Sequence, residues 1–207
     1  MTLVKESYFN TPIYFFEKKE WVDRLNNNSN KYIDQAISNN KPAYINSGEF
    51  GLVHHSSSLI GDDNFKDLCS FIIDNCFYIL DEQGFDLTNY NLYITELWVQ
   101  QFSKGGHHSP HTHWNGHMSG FYFLKCSKNT SYPIFHDPRP KKIMIQLPQK
   151  NEKLITTSSE KIHINPFPGL FLFFNSYLEH EFVLDPGIDP FRFIHFNIQA
   201  LPKQISL

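Results

Sequence analysis

The apolar positions of this chain change rhythm near Tyr90. Before it they recur at helical spacing. After it they fall into short runs, each closed by a turn residue. Over about residues 17–39, Trp21, Val22, Leu25, Tyr32, Ile33 and Ile37 follow a loose helical pattern, and Asn26-Asn27-Asn28 is a candidate interruption. A clearer helix is predicted from Asp62 to Asp81. There Phe65, Leu68, Cys69, Ile72, Cys76 and Ile79 form one apolar stripe. Asp62 and Asp63 suit its start and Gly84 its end. Cys69 and Cys76 sit on the stripe and read as core residues.

From Tyr90 onward strands are predicted: Leu92–Val99, Met118–Cys126, Tyr132–His136, Lys142–Leu147, Lys161–Ile164, Leu170–Phe174, His180–Leu184 and Phe191–Gln199. The run Phe121-Tyr122-Phe123-Leu124 is apolar at every position, as in a strand buried on both faces. Pro138, Pro140, Pro148, Pro166, Pro168-Gly169, Pro186-Gly187 and Pro190 punctuate the joins. Many short strands with such turns, preceded by helices, predict a mainly β architecture: an antiparallel jelly roll with N-terminal helices on its outer face. The whole chain, 1–207, is expected to form one domain, with a helical support region over 1–90 and the jelly-roll core over 91–200. Twenty Phe and ten Tyr suit such a packed β structure.

Charge narrows the partners. The net charge is −3 with no basic block, which argues against a broad nucleic-acid footprint. No apolar run approaches a membrane span, and the first residues lack the apolar segment of a signal peptide. The three cysteines, Cys69, Cys76 and Cys126, show no CxxC spacing. A reducing, cytoplasmic setting is the expectation. An exposed edge strand would permit a homodimer.

Five of the eleven histidines lie in the run Gly105 to His117. Imidazole is the commonest metal ligand among side chains. His111 and His113 are spaced i, i+2, so in an extended segment both rings leave the same face. The glycines allow a bend before them, and Pro110 disfavours helix at Ser109. His180, after the apolar strand 170–174, is the best third ligand. Arg192 lies amid apolar neighbours, where a guanidinium needs a partner; a bound carboxylate would serve, as would Asp185 or Asp189. Arg139 competes with it for the anion role. His107, His108 and His117 are read either as loop residues or as groups supporting the site. His54 and His55 are placed in a loop without a role. His163 and His195 are read as structural, His195 lying on the opposite strand face from Arg192.

These segments carry a resemblance. Leu97-Trp98-Val99, Gly106 through His113, Ser119 to Leu124, Phe135 to Arg139, Pro168 to Phe173, Leu178-Glu179-His180 and Arg192 to Asn197, with Thr11 to Tyr14 at the start, resemble the 2-oxoglutarate/Fe(II)-dependent oxygenases of bacteria and phages. The resemblance implies a double-stranded β-helix, Fe(II) and 2-oxoglutarate as cofactors, and O2 as the second cosubstrate. It implies His111, His113 and His180 as metal ligands and Arg192 as the anchor of the far carboxylate of 2-oxoglutarate, with Tyr122 and Arg139 as further cofactor contacts. The implied activity is hydroxylation of an unidentified substrate, coupled to oxidative decarboxylation of 2-oxoglutarate to succinate and CO2. Position 113 departs from the pattern, because relatives place a carboxylate there. Ile194 also stands where many relatives have Ser or Thr. Two alternatives remain open: a non-catalytic cupin-like module holding zinc, nickel or nothing, and a three-histidine dioxygenase that uses no 2-oxoglutarate.

Overall fold

A computed structural model describes residues 4–39, 52–139 and 147–203. The strand expected over 142–147 falls almost wholly outside these residues.

Two sheets face each other. The larger one runs β1 (Ile13–Glu17), β8 (Leu170–Asn175), β5 (Met118–Lys125), β10 (Phe191–Pro202), β3 (Tyr90–Phe102) and β2 (Val53–His55), in that order. The smaller runs β4 (His108–His111), β9 (His180–Phe182), β6 (Pro133–His136) and β7 (Lys161–His163). Every pairing between these strands is antiparallel. This is the expected jelly roll. The first ninety residues are not purely helical, since β1 and β2 supply the two edges of the larger sheet.

The larger sheet is buried on both faces, which explains its continuous apolar runs. Phe121, Phe123, Leu172, Phe174, Phe191 and Phe193 point inward against the smaller sheet. Tyr122, Leu124, Phe171, Phe173, Ile194, Phe196 and Ile198 point outward under two helices. The chains approach so closely at Gly120 that a Cβ there would lie 2.2 Å from Phe196 Cζ and 2.3 Å from the Leu172 carbonyl oxygen.

The first helix, α1 (Val22–Asn39), begins later than the pattern suggested, because residues 13–17 are drawn into β1 and Lys19–Trp21 form a single 3-10 turn. The asparagine triplet does not break it; it lies within the helix. The second, α2 (Lys66–Glu82), follows a 3-10 turn capped by Asp62, whose side chain accepts from the Asn64 N–H. It stops at Gly84, whose φ of +90° is the left-handed conformation that ends many helices. Leu68, Ile72, Cys76 and Ile79 are buried as the stripe required. Among the described residues no helix is long and apolar enough to cross a membrane.

Candidate functional site

A cavity of about 100 Å³ opens at one end of the roll, lined by His55, Trp98, Gln100, His108, His111, His113, Phe121, His180, Phe182, Phe193 and His195. Six of its eleven lining residues are histidines, so its chemistry is set by imidazole.

Strand pairing brings them together. His111 ends β4 and lies opposite His180 on β9. His113 stands two residues beyond β4, held by its backbone N–H donating to the Ser176 carbonyl at 3.0 Å. One ligand nitrogen from each of His111, His113 and His180 lies within 4.8 Å of the others. The Nε2 atoms of His113 and His180 are 3.2 Å apart. Two imidazole nitrogens bound to one ion at about 2.1 Å would be separated by about 3.0–3.4 Å. Outer contacts set the rings: His111 Nδ1 lies 2.7 Å from the Ser109 carbonyl and His180 Nδ1 2.9 Å from the Leu178 carbonyl. If Nδ1 carries the proton, Nε2 of both is a lone pair facing the cavity. His113 Nδ1 instead lies 3.1 Å from the Asn197 amide nitrogen, whose oxygen is held by Ser119 Oγ. In that arrangement the His113 proton sits on Nε2. An ion bound at Nε2 would require the other neutral tautomer, with the proton on Nδ1.

Burial favours the neutral form of His108, His113, His180 and His195. It pulls His108 down to about 3 and His113 to about 4, with repulsion from His111 adding to both. His180 and His195 are lowered well below the ordinary range by the same burial and by neighbouring imidazoles. Neutral imidazoles packed around a void suit a divalent cation.

Of the other expected site residues, three are elsewhere. Arg192 is on the outer face of β10, the face of Ile194 and Phe196. Its guanidinium lies under α1, bonded to Gln101 Oε1 at 2.7 and 2.9 Å, Asn26 Oδ1 at 3.0 Å, Asn30 Oδ1 at 2.7 Å and Ser29 Oγ at 3.3 Å. It is 4% exposed, and these partners are neutral oxygens of the protein itself. Tyr122 is also outward, stacked on Phe171 with its hydroxyl donating to the Lys18 carbonyl at 2.6 Å. Arg139 forms a bidentate pair with Asp137 in a separate surface groove. For Arg192 and Tyr122 the reason is strand parity: residues of even number on β5 and β10 leave the roll, and neighbours of odd number enter it.

The same parity puts His195 in the cavity, stacked between Trp98 at 4.9 Å and His113 at 4.8 Å. The structural role expected of it is therefore incomplete. His55 lies at the cavity rim on β2, against Trp98, not in a loop. His108 Nε2 contacts Gln100 Oε1 at 2.8 Å inside the cavity. His107 lies against the Gly105 carbonyl, and His117 Nδ1 accepts from the Ala200 N–H, both within loop packing. The available signal for His55 and His195 was that β2 and β10 are strands whose inward positions include those residues. Among the described residues no lysine or arginine lines the cavity. The residues present therefore fit a metal ion, but they do not supply a cationic anchor for an anionic cosubstrate.

Two comparisons with known proteins bear on this site. Residues 96–189 match the model of a family described as "Putative 2OG-Fe(II) oxygenase". Among solved structures, the α-ketoglutarate-dependent epimerase SnoN from nogalamycin biosynthesis aligns over 95% of this chain and 80% of its own, with a TM-score of 0.62 at 9% identity. A Pseudomonas putida prolyl-4-hydroxylase aligns over 91% and 93%, with a TM-score of 0.57 at 10% identity. The viral collagen prolyl hydroxylase of Paramecium Bursaria Chlorella virus-1 aligns over 91% and 96%, with a TM-score of 0.54 at 12% identity. At such identities these three share the fold. None of the curated protein sequences matches. The fold is thus that of the jelly-roll oxygenases. Residues 96–189 are thus similar to that oxygenase family, and they hold most of the residues that line the histidine cavity.

Proposed function

We propose that His111, His113 and His180 hold the catalytic metal and that the enzyme hydroxylates an organic substrate. The observation that supports this is the convergence of three ring nitrogens within 4.8 Å at the mouth of the roll. When bound, iron and its cosubstrate supply the oxidising chemistry. The protein's own contribution is orientation and exclusion of water. Ser109 and Leu178 fix two rings through their carbonyls. Phe121, Phe182 and Phe193 form dry walls that keep bulk water from the cavity. We further infer a cytoplasmic enzyme acting as one domain, in keeping with three free cysteines.

One observation favours a second reading. The cavity lining carries no cation among the described residues. A three-histidine dioxygenase that binds its substrate without 2-oxoglutarate would need none. Anaerobic titration separates the two. Addition of 2-oxoglutarate to the Fe(II)-loaded protein should produce a weak visible charge-transfer band, lost in His180→Ala. Succinate should form under air. Fe(II) binding without the band and without succinate would reject the 2-oxoglutarate reading. An Fe(II) affinity and spectrum both unchanged in His180→Ala would reject the ligand assignment.

A further inference from the structure

Beside the three-imidazole set lies another group of donors. One ligand atom from each of Glu96, His113 and His195 falls within 4.8 Å of the others. The pairing of β3 with β10 creates this group. Glu96 lies opposite Asn197 and Trp98 opposite His195. The register slips just after Asn197, where Ile198 faces Ile94 and Thr95 is passed over. A bulge of this kind re-aims the neighbouring side chains, and bulges concentrate beside active sites. Glu96 keeps the inward face of Trp98 and Gln100 by alternation along β3, and beyond the slip Ile94 turns to the outer face under the helices.

His195 supplies the independent sign of a missing partner. It is 2% exposed, and its Nε2 is buried with no hydrogen-bond partner. A buried polar atom left in that state is destabilising. A cation within reach would remove the cost. Glu96 is already steered, because Asn197 Nδ2 donates to its Oε2 and also approaches His113 Nδ1. Glu96, His113 and Asn197 also line a second opening, a polar cleft of about 290 Å³ walled by Thr95, Thr112 and Trp114, which gives an ion a route from solvent.

Two histidines and one carboxylate form the donor set of non-haem Fe(II) oxygenases. The His111–His113–His180 set has no carboxylate. We propose that Glu96, His113 and His195 form a second, carboxylate-bearing position for a divalent cation. The proposal builds on the assignment of His113 as a ligand in the first set. A neutral imidazole offers one lone pair. His113 therefore serves one ion at a time, and the chain holds a single cation in either of two adjacent positions.

The test uses Co(II) alone, read by its visible absorption and by metal content per chain. Wild type should bind one Co(II). The double variant His111→Ala/His180→Ala should still bind one, with a changed spectrum, because the second set is intact. Adding Glu96→Gln should weaken that binding about tenfold or more, and adding His195→Phe should do the same. Far-UV circular dichroism establishes that each variant is folded. A folded double variant without Co(II), or one whose Co(II) is indifferent to Glu96→Gln, would overturn the proposal. Wild-type binding and spectrum unaltered by the double substitution would instead count against the first set, leaving the second to be judged by Glu96→Gln in the wild-type background.

Discussion

Replacing Arg192 with methionine should cost stability and leave 2-oxoglutarate binding alone. The side chain holds α1 to the sheet through Gln101, Asn26, Ser29 and Asn30. Hydrogen bonds to a charged group contribute about 1.5–3 kcal/mol each when a buried partner is stranded. They do not sum here. Asn30 is exposed, and Asn26 and Gln101 are half-buried, so these regain water. Only Ser29 is fully buried, and it keeps its bond to the Asn26 carbonyl at 2.8 Å. Methionine also replaces much of the apolar stem. The net loss should be about 2–3 kcal/mol, or about 5–10 °C in melting temperature for a chain of this size. Arg192→Lys should fall between, since it keeps the charge but not the planar fork. Urea denaturation gives the first quantity. Calorimetric titration of 2-oxoglutarate into metal-loaded protein gives the second, which should stay within about twofold of wild type. An unchanged urea midpoint together with a loss of 2-oxoglutarate affinity above about tenfold would refute this placement of Arg192.

Tyr122→Phe should likewise spare cosubstrate binding and cost only about 1 kcal/mol, the bond to the Lys18 carbonyl, read by chemical denaturation. Gly120→Ala should destabilise by about 3 kcal/mol, because the new methyl meets Phe196 and the Leu172 backbone; a variant melting within a degree of wild type would contradict that crowding. The metal-free protein should weaken in acid. His108 and His113 are lowered to about 3 and about 4 when folded but titrate near 6.5 when unfolded. Between those values the unfolded chain binds more protons, so stability is full above pH 6.5 and falls as pH drops toward 4. A urea midpoint in EDTA that stays flat from pH 7.5 to 4.5 would contradict neutral burial of these rings.

Much of this was legible in the residues. The stripe of α2, the turn-punctuated strands and the trio His111, His113 and His180 all follow from spacing and residue type. The misplacements of Arg192 and His195 share one cause. Alternation along β10 separates Arg192 from His195 without ambiguity, but it does not say which face is the inside. That decision normally comes from one face being polar. Here Phe191 and Phe193 fill one side and Ile194, Phe196 and Ile198 the other, because helices cover what would otherwise be solvent-facing. The sign of the face was therefore hidden, and the arginine was assigned inward. Glu96 was hidden for a different reason. It shares the inward face of Trp98 and Gln100 by alternation, yet only the pairing of β3 with β10 sets it beside His113 and His195. The run of asparagines in α1 looked like a helix breaker, but Asn26 of the run, with Asn30 beyond it, binds a distant arginine, a tertiary contact that outweighs local propensity.

The two-sided burial of the larger sheet limits how far this chain can be shortened. The stretch matching the oxygenase family, 96–189, ends just before β10, the strand seated between β5 and β3, and omits both helices. A fragment cut to that stretch would have a gap in the middle of its sheet and an aromatic surface on the side the helices protect. Raw edges and bare aromatic faces drive chains together. Such a fragment should precipitate rather than report on chemistry, so screens for activity need the helices and the last strand attached.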